Sequence, residues 1–211
     1  KEDIIRDFEK CYLEKNNVLN IKSKEVYYLW KEYLSERNLP NMIYMNDLIS
    51  YLDEKYVNNE GIYEKLTSPK LNYIKYILEF IDKEIIVIKE KEYSNEEDEV
   101  ENDTIYTGKY NMVNNFEPNN YELGEIYQIF QEWKKENRIF INISEEVLLN
   151  VINHFNDKIL ILDNKYLYGI QCKMWNKEDD IRNYLEYNEN KTIRYSKYCR
   201  WCKDNNKKED T

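Results

Sequence analysis

Glycine and proline are scarce in this chain, whose 211 residues include only four glycines and three prolines. Tight turns with a left-handed backbone, and sandwiches of many short strands, rely on these residues. Their scarcity disfavours a β-rich fold and favours helices joined by polar loops. The glycines also stand alone, in EGIY, TGKY, LGEI and YGIQ, so the sequence has no glycine-rich phosphate-binding loop.

Residues that usually carry catalysis are few. The single histidine, His154, lies near the end of a short amphipathic segment, where a structural or surface role is more common than that of a general base. Nucleophilic triads need a histidine beside a presented nucleophile, and no G-x-S-x-G motif occurs. We therefore expect a non-catalytic chain without a cofactor. A small metal-dependent enzyme is the alternative, because its carboxylates would converge only in the folded chain.

The four cysteines are irregularly spaced, which indicates a reducing compartment rather than a disulfide framework. Cys199 and Cys202, in CRWC, have the C-x-x-C spacing of half a zinc site. The other half would have to come from Cys172 and His154, which lie far along the chain. The alternative is two small apolar residues on a terminal helix, so we expect no metal site.

Long apolar runs are missing as well. No stretch approaches the roughly 18 residues that a membrane-spanning helix needs, and the opening KEDIIRDFEK is too charged for a signal peptide. We expect no membrane partner and an intracellular location, which for a viral protein includes a replication site in the host cytoplasm. The chain starts at Lys1 without an initiator methionine, which we interpret as a fragment of a longer polypeptide; a trimmed N-terminus is the alternative.

A twelve-residue pattern occurs twice, one hundred residues apart. EVYYLWKEYLSE begins at Glu25 and EIYQIFQEWKKE begins at Glu125. Glu, Tyr, Glu and Glu recur at the same offsets. The apolar matches are Val26 with Ile126, Leu29 with Ile129, Trp30 with Phe130, and Tyr33 with Trp133. Two amphipathic helices can share apolar spacing by chance, but the pattern favours a duplicated module.

The periodicity of the first half predicts four helices and a strand. A helix over 2–15 is followed by an extended VLNIK, a helix capped by Ser23 that ends near Pro40, and a shorter helix capped by Asn46. SPKLNYIKYILEFI predicts a fourth helix, with Ser68 as its cap and Pro69 in its first turn. EIIVIKE, from Glu84 to Glu90, is typical of a strand.

The second half repeats this order. ELGEIYQIFQEWKKEN matches the long helix, and Ser144 caps EEVLLNVINHF. KILILDNKYLYGIQC predicts a β-hairpin around DNK, because Asp and Asn tolerate the turn geometry. Asn176 caps a last helix through KEDDIRNYLEY, and a basic, aromatic tail follows.

Two long helices, a short capped helix and a hairpin form the outline of a winged helix, although the first half shows no clear wing. The fold class we predict is mainly α with small β-hairpins (α+β), arranged as tandem winged-helix-like domains. The expected divisions are a first domain over 1–92, an acidic linker or loop over 93–115, a second domain over 116–190, and a basic aromatic segment over 191–211.

Residues 8–41 carry a resemblance to a known family. The matching positions are Phe8, Cys11, Ile21, Ser23, Val26, Tyr27, Trp30 and Tyr33. This pattern resembles the region that follows the ATPase core in primase-helicases of poxviruses and giant viruses. The resemblance implies a winged-helix DNA-binding domain and an ATPase elsewhere in the parent protein. The 21 tyrosines, with abundant Asn, Lys and Ile, are also typical of AT-rich genomes, which many giant viruses and some protists have.

The charge of the chain limits how it could bind nucleic acid. The net charge of −10 repels phosphates overall, so binding needs a local basic patch. In a winged helix the third helix reads the DNA, and here the candidates are the short helices capped by Asn46 and by Ser144. Neither is basic: the first carries Asp47, Asp53 and Glu54, and the second carries Glu145 and Glu146. We expect no ordinary sequence-specific docking by these helices.

The basic tail, with Lys158, Lys165 and Lys173 of the hairpin region, is the best candidate for DNA contact. In the tail, cations spaced by three alternate with aromatic residues that could stack on bases; the alternative is a terminal helix with Tyr198 and Trp201 buried. The predicted nucleic-acid-binding residues are Lys165, Lys173, Lys191, Arg194, Lys197, Arg200, Lys203 and Tyr198.

Two functions follow from these observations. The first is a non-catalytic, nucleic-acid-binding accessory region of a viral helicase-primase, which contacts the DNA backbone through its tail and wing. The second is a protein-protein interaction module whose acidic surface would suit a basic partner.

Overall fold

The computed structural model describes residues 2–40, 45–88 and 119–187, together with 198, 200 and 201. Within these residues the fold is mixed α+β, with helices and small antiparallel sheets. The chain divides into two compact units, Lys1–Glu79 and Phe80–Thr211. The linker expected over 93–115 lies outside the described residues, and the division between the units falls earlier, inside a helix.

The first unit begins with a helix and contains two small sheets. Its elements are α1 (Glu2–Tyr12), β1 (Glu14–Lys15), β2 (Ile21–Lys22), α2 (Ser23–Glu36), α3 (Met45–Lys55), β3 (Asn58–Asn59), β4 (Ile62–Tyr63) and β5 (Leu66–Thr67). Helix α4 (Leu71–Glu84) follows, and the division between the units falls within it.

After α1, the first unit has two strands, two helices, three strands and a helix, and the second unit repeats this order. Its elements are β6 (Ile85–Val87), β7 (Asn120–Glu122), α5 (Leu123–Glu136), α6 (Glu145–Phe155), β8 (Leu160–Leu162), β9 (Tyr166–Tyr168), β10 (Ile170–Cys172) and α7 (Lys177–Tyr187). Strand β10 pairs antiparallel with β6, which confirms the strand predicted in EIIVIKE.

Each unit contains a three-stranded antiparallel sheet with the same strand order. In the first unit the order is β2-β4-β3, and in the second it is β7-β9-β8. In both, the strand that precedes the long helix pairs with the second strand of the hairpin, which brings residues far apart in sequence together. The two units therefore share one topology, strand–helix–helix–strand–strand. The sequence predicted its two helices and hairpin for the second half, but not the strand β7 that precedes them.

The long helices α2 and α5 begin with the same hydrogen bond and end with the same backbone conformation. At their starts, the backbone N–H groups of Lys22 and Glu122 each donate to the glutamate three residues on, at 2.8 Å in both cases. The glutamate carboxylate thus satisfies one of the N–H groups left over near a helix start. At their ends, Asn38 (φ 53°) and Arg138 (φ 55°) both adopt the left-handed conformation that closes a helix.

An aromatic cluster with the same geometry forms the core of each unit. Phe8 meets Trp30 edge to face at 5.0 Å between ring centroids, and Trp30 stacks on Tyr33 at 5.4 Å. In the second unit Phe80 meets Phe130 at 5.2 Å, and Phe130 stacks on Trp133 at 6.1 Å. These aromatic residues are all buried, and edge-to-face and offset contacts are the arrangements that aromatic rings prefer. The repeated sequence pattern therefore encodes a repeated core.

Several predicted helix starts are confirmed. The hydroxyl of Ser144 accepts a hydrogen bond from Val147 N at 3.3 Å, and the Asn176 side chain accepts one from Asp179 N at 3.3 Å. The prediction for α4 is wrong by two residues: the hydroxyl of Ser68 accepts from Lys70 N at 3.2 Å, but the helix begins at Leu71, so Pro69 precedes its first turn.

Other predictions at helix boundaries are wrong by a few residues. The first helix ends at Tyr12 rather than near residue 15, because the chain turns there into the short strand β1. Ser23 is the first residue of α2 and not its cap, since Lys22 has the extended backbone of the capping position. Asn46 lies inside α3, which begins at Met45.

The hairpin of the first unit, β3 with β4, was not found from the sequence. Strands β3 and β4 are two residues each, joined by Glu60 and Gly61, whose φ values are 50° and 82°. Two positive φ values in a two-residue loop are typical of hairpins. The strands are too short to show the alternation of apolar and polar residues that identifies a strand in sequence.

Candidate nucleic-acid interface

Lys165 lies in the turn of the second hairpin, as predicted. Asp163 and Asn164 adopt φ values of 53° and 51°, and Lys165 N donates to Leu162 O at 3.0 Å to close the turn. The Lys165 Nζ lies 2.8 Å from Glu122 Oε1 and 5.0 Å from the centroid of the Tyr166 ring. Hydrogen bonds to Glu122 and Tyr166 raise the pKa of Lys165. Lys165 is therefore positively charged, but the carboxylate of Glu122 partly neutralises this charge.

Lys173 lies just after β10 and is exposed. Its backbone N–H donates to Glu84 O at 2.9 Å, and its Nζ donates to the backbone carbonyl of Lys83. No carboxylate appears among the hydrogen bonds of this side chain within the described residues, so its positive charge is less compensated than that of Lys165.

The tail is described at only three positions. The cations Lys191, Arg194, Lys197 and Lys203 lie outside the described residues, as do Cys199 and Cys202. Arg200 is helical and exposed. Among the cations of the tail, Arg200 is the one that lies within the described residues and whose exposure to solvent is therefore known.

Tyr198 is buried rather than available to a base. Only 1% of it is exposed, and its ring lies 5.4 Å from that of Tyr184 in a cluster with Ile181, Trp175 and Trp201. This arrangement is the alternative that the sequence left open. Because the ring packs into the second unit, we remove Tyr198 from the set of residues expected to stack on bases, and assign it the role of anchoring the tail.

The exposed faces of α3 and α6 are polar and acidic. On α3 the exposed residues include Asp47, Asp53 and Glu54, and on α6 they include Glu145 and Glu146. Phosphates would be repelled from such faces, as the sequence indicates.

Glu9 is an anchor for α3 that the sequence did not reveal. Its carboxylate accepts hydrogen bonds from Tyr51 Oη at 2.6 Å, from Lys55 Nζ at 2.7 Å and from Tyr56 Oη. Burial alone would raise the pKa of Glu9, but these three donors lower it. One carboxylate on α1 thus fixes the C-terminal end of α3. Its three donors come together only in the folded unit, so neither spacing nor composition could have identified it.

A cavity of about 330 Å³ in the second unit lies beside a buried cation, Lys177. Lys177 is 1% exposed, and its Nζ donates to Asn120 O at 2.6 Å and to Glu125 Oε2 at 2.8 Å. The rings of Tyr121 and Trp175 flank the ammonium group at 4.8 Å and 5.7 Å. A carboxylate, a carbonyl and two rings already compensate the positive charge of Lys177. We therefore interpret this cluster as a structural contact that holds α7 against β7 and α5.

Among the residues described, no group of three or more His, Cys, Asp or Glu side chains could hold a metal ion. In the same part of the chain, no helix is long and apolar enough to cross a membrane.

Comparison with protein-family models, curated proteins and solved structures finds no match to this chain. Function is therefore inferred from the topology, the charges and the sequence resemblance of the chain.

Proposed function

We propose that the chain is a non-catalytic accessory region of a larger viral DNA replication protein of the helicase-primase type, built from two winged-helix-like domains. The strand order within each unit carries this proposal. A winged helix places the strand that precedes its second helix beside the last strand of its wing, and both units have this arrangement.

Aromatic positions of the pattern that resembles viral primase-helicases have structural counterparts in the second unit. Phe8, Trp30 and Tyr33 belong to the pattern that resembles viral primase-helicases, and in the structure they are in mutual contact. Phe80, Phe130 and Trp133 form the corresponding cluster. The parent protein would supply the ATPase, and this region would hold nucleic acid near it.

We propose that nucleic acid is bound through phosphates rather than base edges. The exposed faces of α3 and α6 carry no cluster of cations, so reading of the major groove is not expected there. Lys173 and Arg200 are exposed cations, and Lys165 would contribute less because Glu122 shares its charge. Contacts of this kind give affinity that depends on salt but little on sequence.

Charge-neutral substitution tests this proposal better than removal of the tail. Deleting 191–211 would strip Tyr198 and Trp201 from the cluster around Tyr184 and disturb the second unit. The informative variant changes five tail cations to glutamine and keeps the aromatic residues: Lys191, Arg194, Lys197, Arg200 and Lys203. We expect its affinity for single- and double-stranded DNA, measured by fluorescence anisotropy, to fall roughly tenfold or more at low salt, with a shallower salt dependence.

A matched variant controls for net charge. It changes five exposed cations of the first unit to glutamine: Lys10, Lys15, Lys31, Lys65 and Lys75. Both variants alter the net charge of the chain equally, so only a local effect distinguishes them. Equal losses of affinity in the two variants, or no DNA binding by the unaltered chain at low salt, would contradict the proposed role of the tail.

A protein-interaction role is the second candidate, and one exposed side chain favours it. Phe140, in the loop between α5 and α6, is 95% exposed, and α6 begins nearby in sequence with Glu145 and Glu146. An exposed aromatic residue followed within a few residues by exposed carboxylates suits a partner with an apolar pocket and basic surroundings. Under this hypothesis Phe140→Ala and Glu145→Lys each reduce recovery of a partner at physiological salt, while the five-glutamine tail variant retains it.

A further inference from the structure

The rings of Tyr184, Tyr198 and Trp201 repeat the aromatic contact that forms the core of each unit. Tyr184 lies 5.4 Å from Tyr198 and 5.7 Å from Trp201 between ring centroids. In both cores, one phenylalanine likewise contacts two aromatic residues that lie three positions apart, at 5.0–5.6 Å. We call these groups the aromatic triads: Phe8, Trp30 and Tyr33; Phe80, Phe130 and Trp133; Tyr184, Tyr198 and Trp201. In each triad the first ring comes three residues after an isoleucine: Ile5, Ile77 and Ile181. The third triad therefore continues the repeat of the two units.

The third triad is less covered than the other two. The six rings of the first two triads are at most 2% exposed. Tyr198 is 1% exposed, but Trp201 is only partly buried. The ring of Tyr187, on the last turn of α7, lies 6.4 Å from that of Trp201 and is 72% exposed. The corresponding residues of α1 and α4, Cys11 and Lys83, are also exposed but are not aromatic. The third triad therefore presents aromatic surface to solvent at a place where the other two do not.

Tyr187 and Trp201 are arranged so that neither ring covers the face of the other. Their planes are tilted by 41°, and a centroid distance of 6.4 Å is too long for face-to-face stacking. We call these two residues the aromatic pair. Since its rings are not stacked on each other, a flat molecule can lie against them.

The charge beside the third triad is opposite to that beside the first two. The residue before the last ring is Glu32 in the first triad, Glu132 in the second and Arg200 in the third. Arg200 is exposed. The sequence around it is basic, since residues 191–203 contain five cations and no carboxylate. A ligand of the aromatic pair is therefore expected to be anionic as well as flat.

We propose that the aromatic pair stacks on bases of single-stranded nucleic acid, while Arg200 pairs with the adjoining phosphates. Every base has a flat face, and aromatic rings beside a cationic surface are the means by which proteins bind single strands without reading their sequence. The bases of a duplex are already stacked on each other, so the pair takes an unpaired strand. This inference rests on the proposed nucleic-acid role and adds the class of ligand.

Fluorescence anisotropy of the whole 211-residue chain at low salt tests the inference with three labelled probes of equal length. They are an oligothymidylate, an abasic strand with the same phosphates but no bases, and a duplex. The unaltered chain should bind the oligothymidylate roughly tenfold more tightly than the abasic strand, because stacking on the aromatic pair adds to the phosphate contacts.

Tyr187→Ala removes the exposed ring of the pair. It should raise the Kd for the oligothymidylate roughly tenfold and leave the Kd for the abasic strand and for the duplex unchanged. Tyr187→Phe keeps a flat ring and should bind like the unaltered chain, whereas Tyr187→Leu should behave like Tyr187→Ala. Phe140→Ala is the matched control, because it removes another exposed aromatic side chain of the same unit and should change none of the three affinities. Arg200→Gln should weaken all three probes alike. Circular dichroism establishes that each variant is folded.

Tryptophan fluorescence gives a second readout. A base stacked on Trp201 should quench part of the emission when the oligothymidylate is added, and the abasic strand should not. Trp201→Phe keeps a ring in the third triad and should remove most of this quenching.

Three results would overturn this inference and leave the phosphate-binding proposal intact. They are equal affinity for the oligothymidylate and the abasic strand, a loss in Tyr187→Ala that is the same for single strand and duplex, and a loss no larger than that of Phe140→Ala. Absence of binding to every probe would overturn both proposals, so the two failures are distinguishable.

Discussion

Two glutamates of the first unit have opposite electrostatic environments. Hydrogen bonds from Lys55, Tyr51 and Tyr56 outweigh burial and lower the pKa of Glu9. Burial dominates at Glu32 and raises its pKa, although Lys70 Nζ lies 3.7 Å from the carboxylate and Tyr73 Oη donates to it at 3.0 Å. The ionised form is therefore stabilised by folding at Glu9 and disfavoured by folding at Glu32.

These shifts predict opposite pH profiles for Glu9→Gln and Glu32→Gln. The stabilisation from Glu9 is complete above its ordinary pKa of 4.5 and is lost as the pH falls through its lowered folded value. Glu9→Gln should therefore cost about 1.5–3 kcal/mol near pH 7, the range for hydrogen bonds to a charged group, and much less in acid. Urea denaturation at a series of pH values measures both profiles.

Glu32→Gln should change the dependence of folding stability on pH in the opposite direction. Because its folded pKa is raised, Glu32 favours folding below its ordinary pKa of 4.5, and that contribution is lost as the pH rises through the raised value. The stability of Glu32→Gln relative to the unaltered chain should increase as the pH rises from acid towards neutral. A parallel response of the two variants to pH would show that the carboxylates do not have the environments described.

At the scale of elements, the sequence predicted the long helices well because their apolar residues recur at helical spacing. The second hairpin was also found, since DNK separates two apolar runs of sufficient length. The first hairpin was missed because Asn58–Asn59 and Ile62–Tyr63 are too short to show any period. The sequence could not decide whether Tyr198 is buried. A helix in which cations alternate with aromatic residues is compatible both with burial of the rings and with their stacking on bases.

The start of α6 offers a direct test of one predicted cap. Ser144→Ala removes the hydroxyl that accepts from Val147 N, and should destabilise the second unit by about 1 kcal/mol. Ser35→Ala, in the last turn of α2, is the control: Ser35 is exposed, and alanine is favoured in a helix. Thermal denaturation followed by circular dichroism should show a lower melting temperature for Ser144→Ala alone.

At the scale of the whole molecule, the duplicated aromatic core shows which parts of the chain belong together. Phe8 comes from α1, while Phe80, its counterpart, lies in the last part of α4. Helix α4 thus provides the second unit with the residue that α1 provides to the first. The sequence placed α4 in the first domain, because the apolar spacing of a helix does not indicate which core each of its residues enters.

Phe8→Ala and Phe80→Ala should therefore destabilise different units, although both remove a buried ring at the same place in the repeat. Each phenylalanine is fully buried, so each change should cost about 3–5 kcal/mol. Hydrogen exchange measured by mass spectrometry resolves where protection is lost: within residues 2–67 for Phe8→Ala, and within 119–187 for Phe80→Ala. Loss of protection in the first unit alone on changing Phe80 would mean that α4 does not contribute to the second core. Because the two changes are chemically identical, any difference between their exchange patterns must come from the core that each ring occupies.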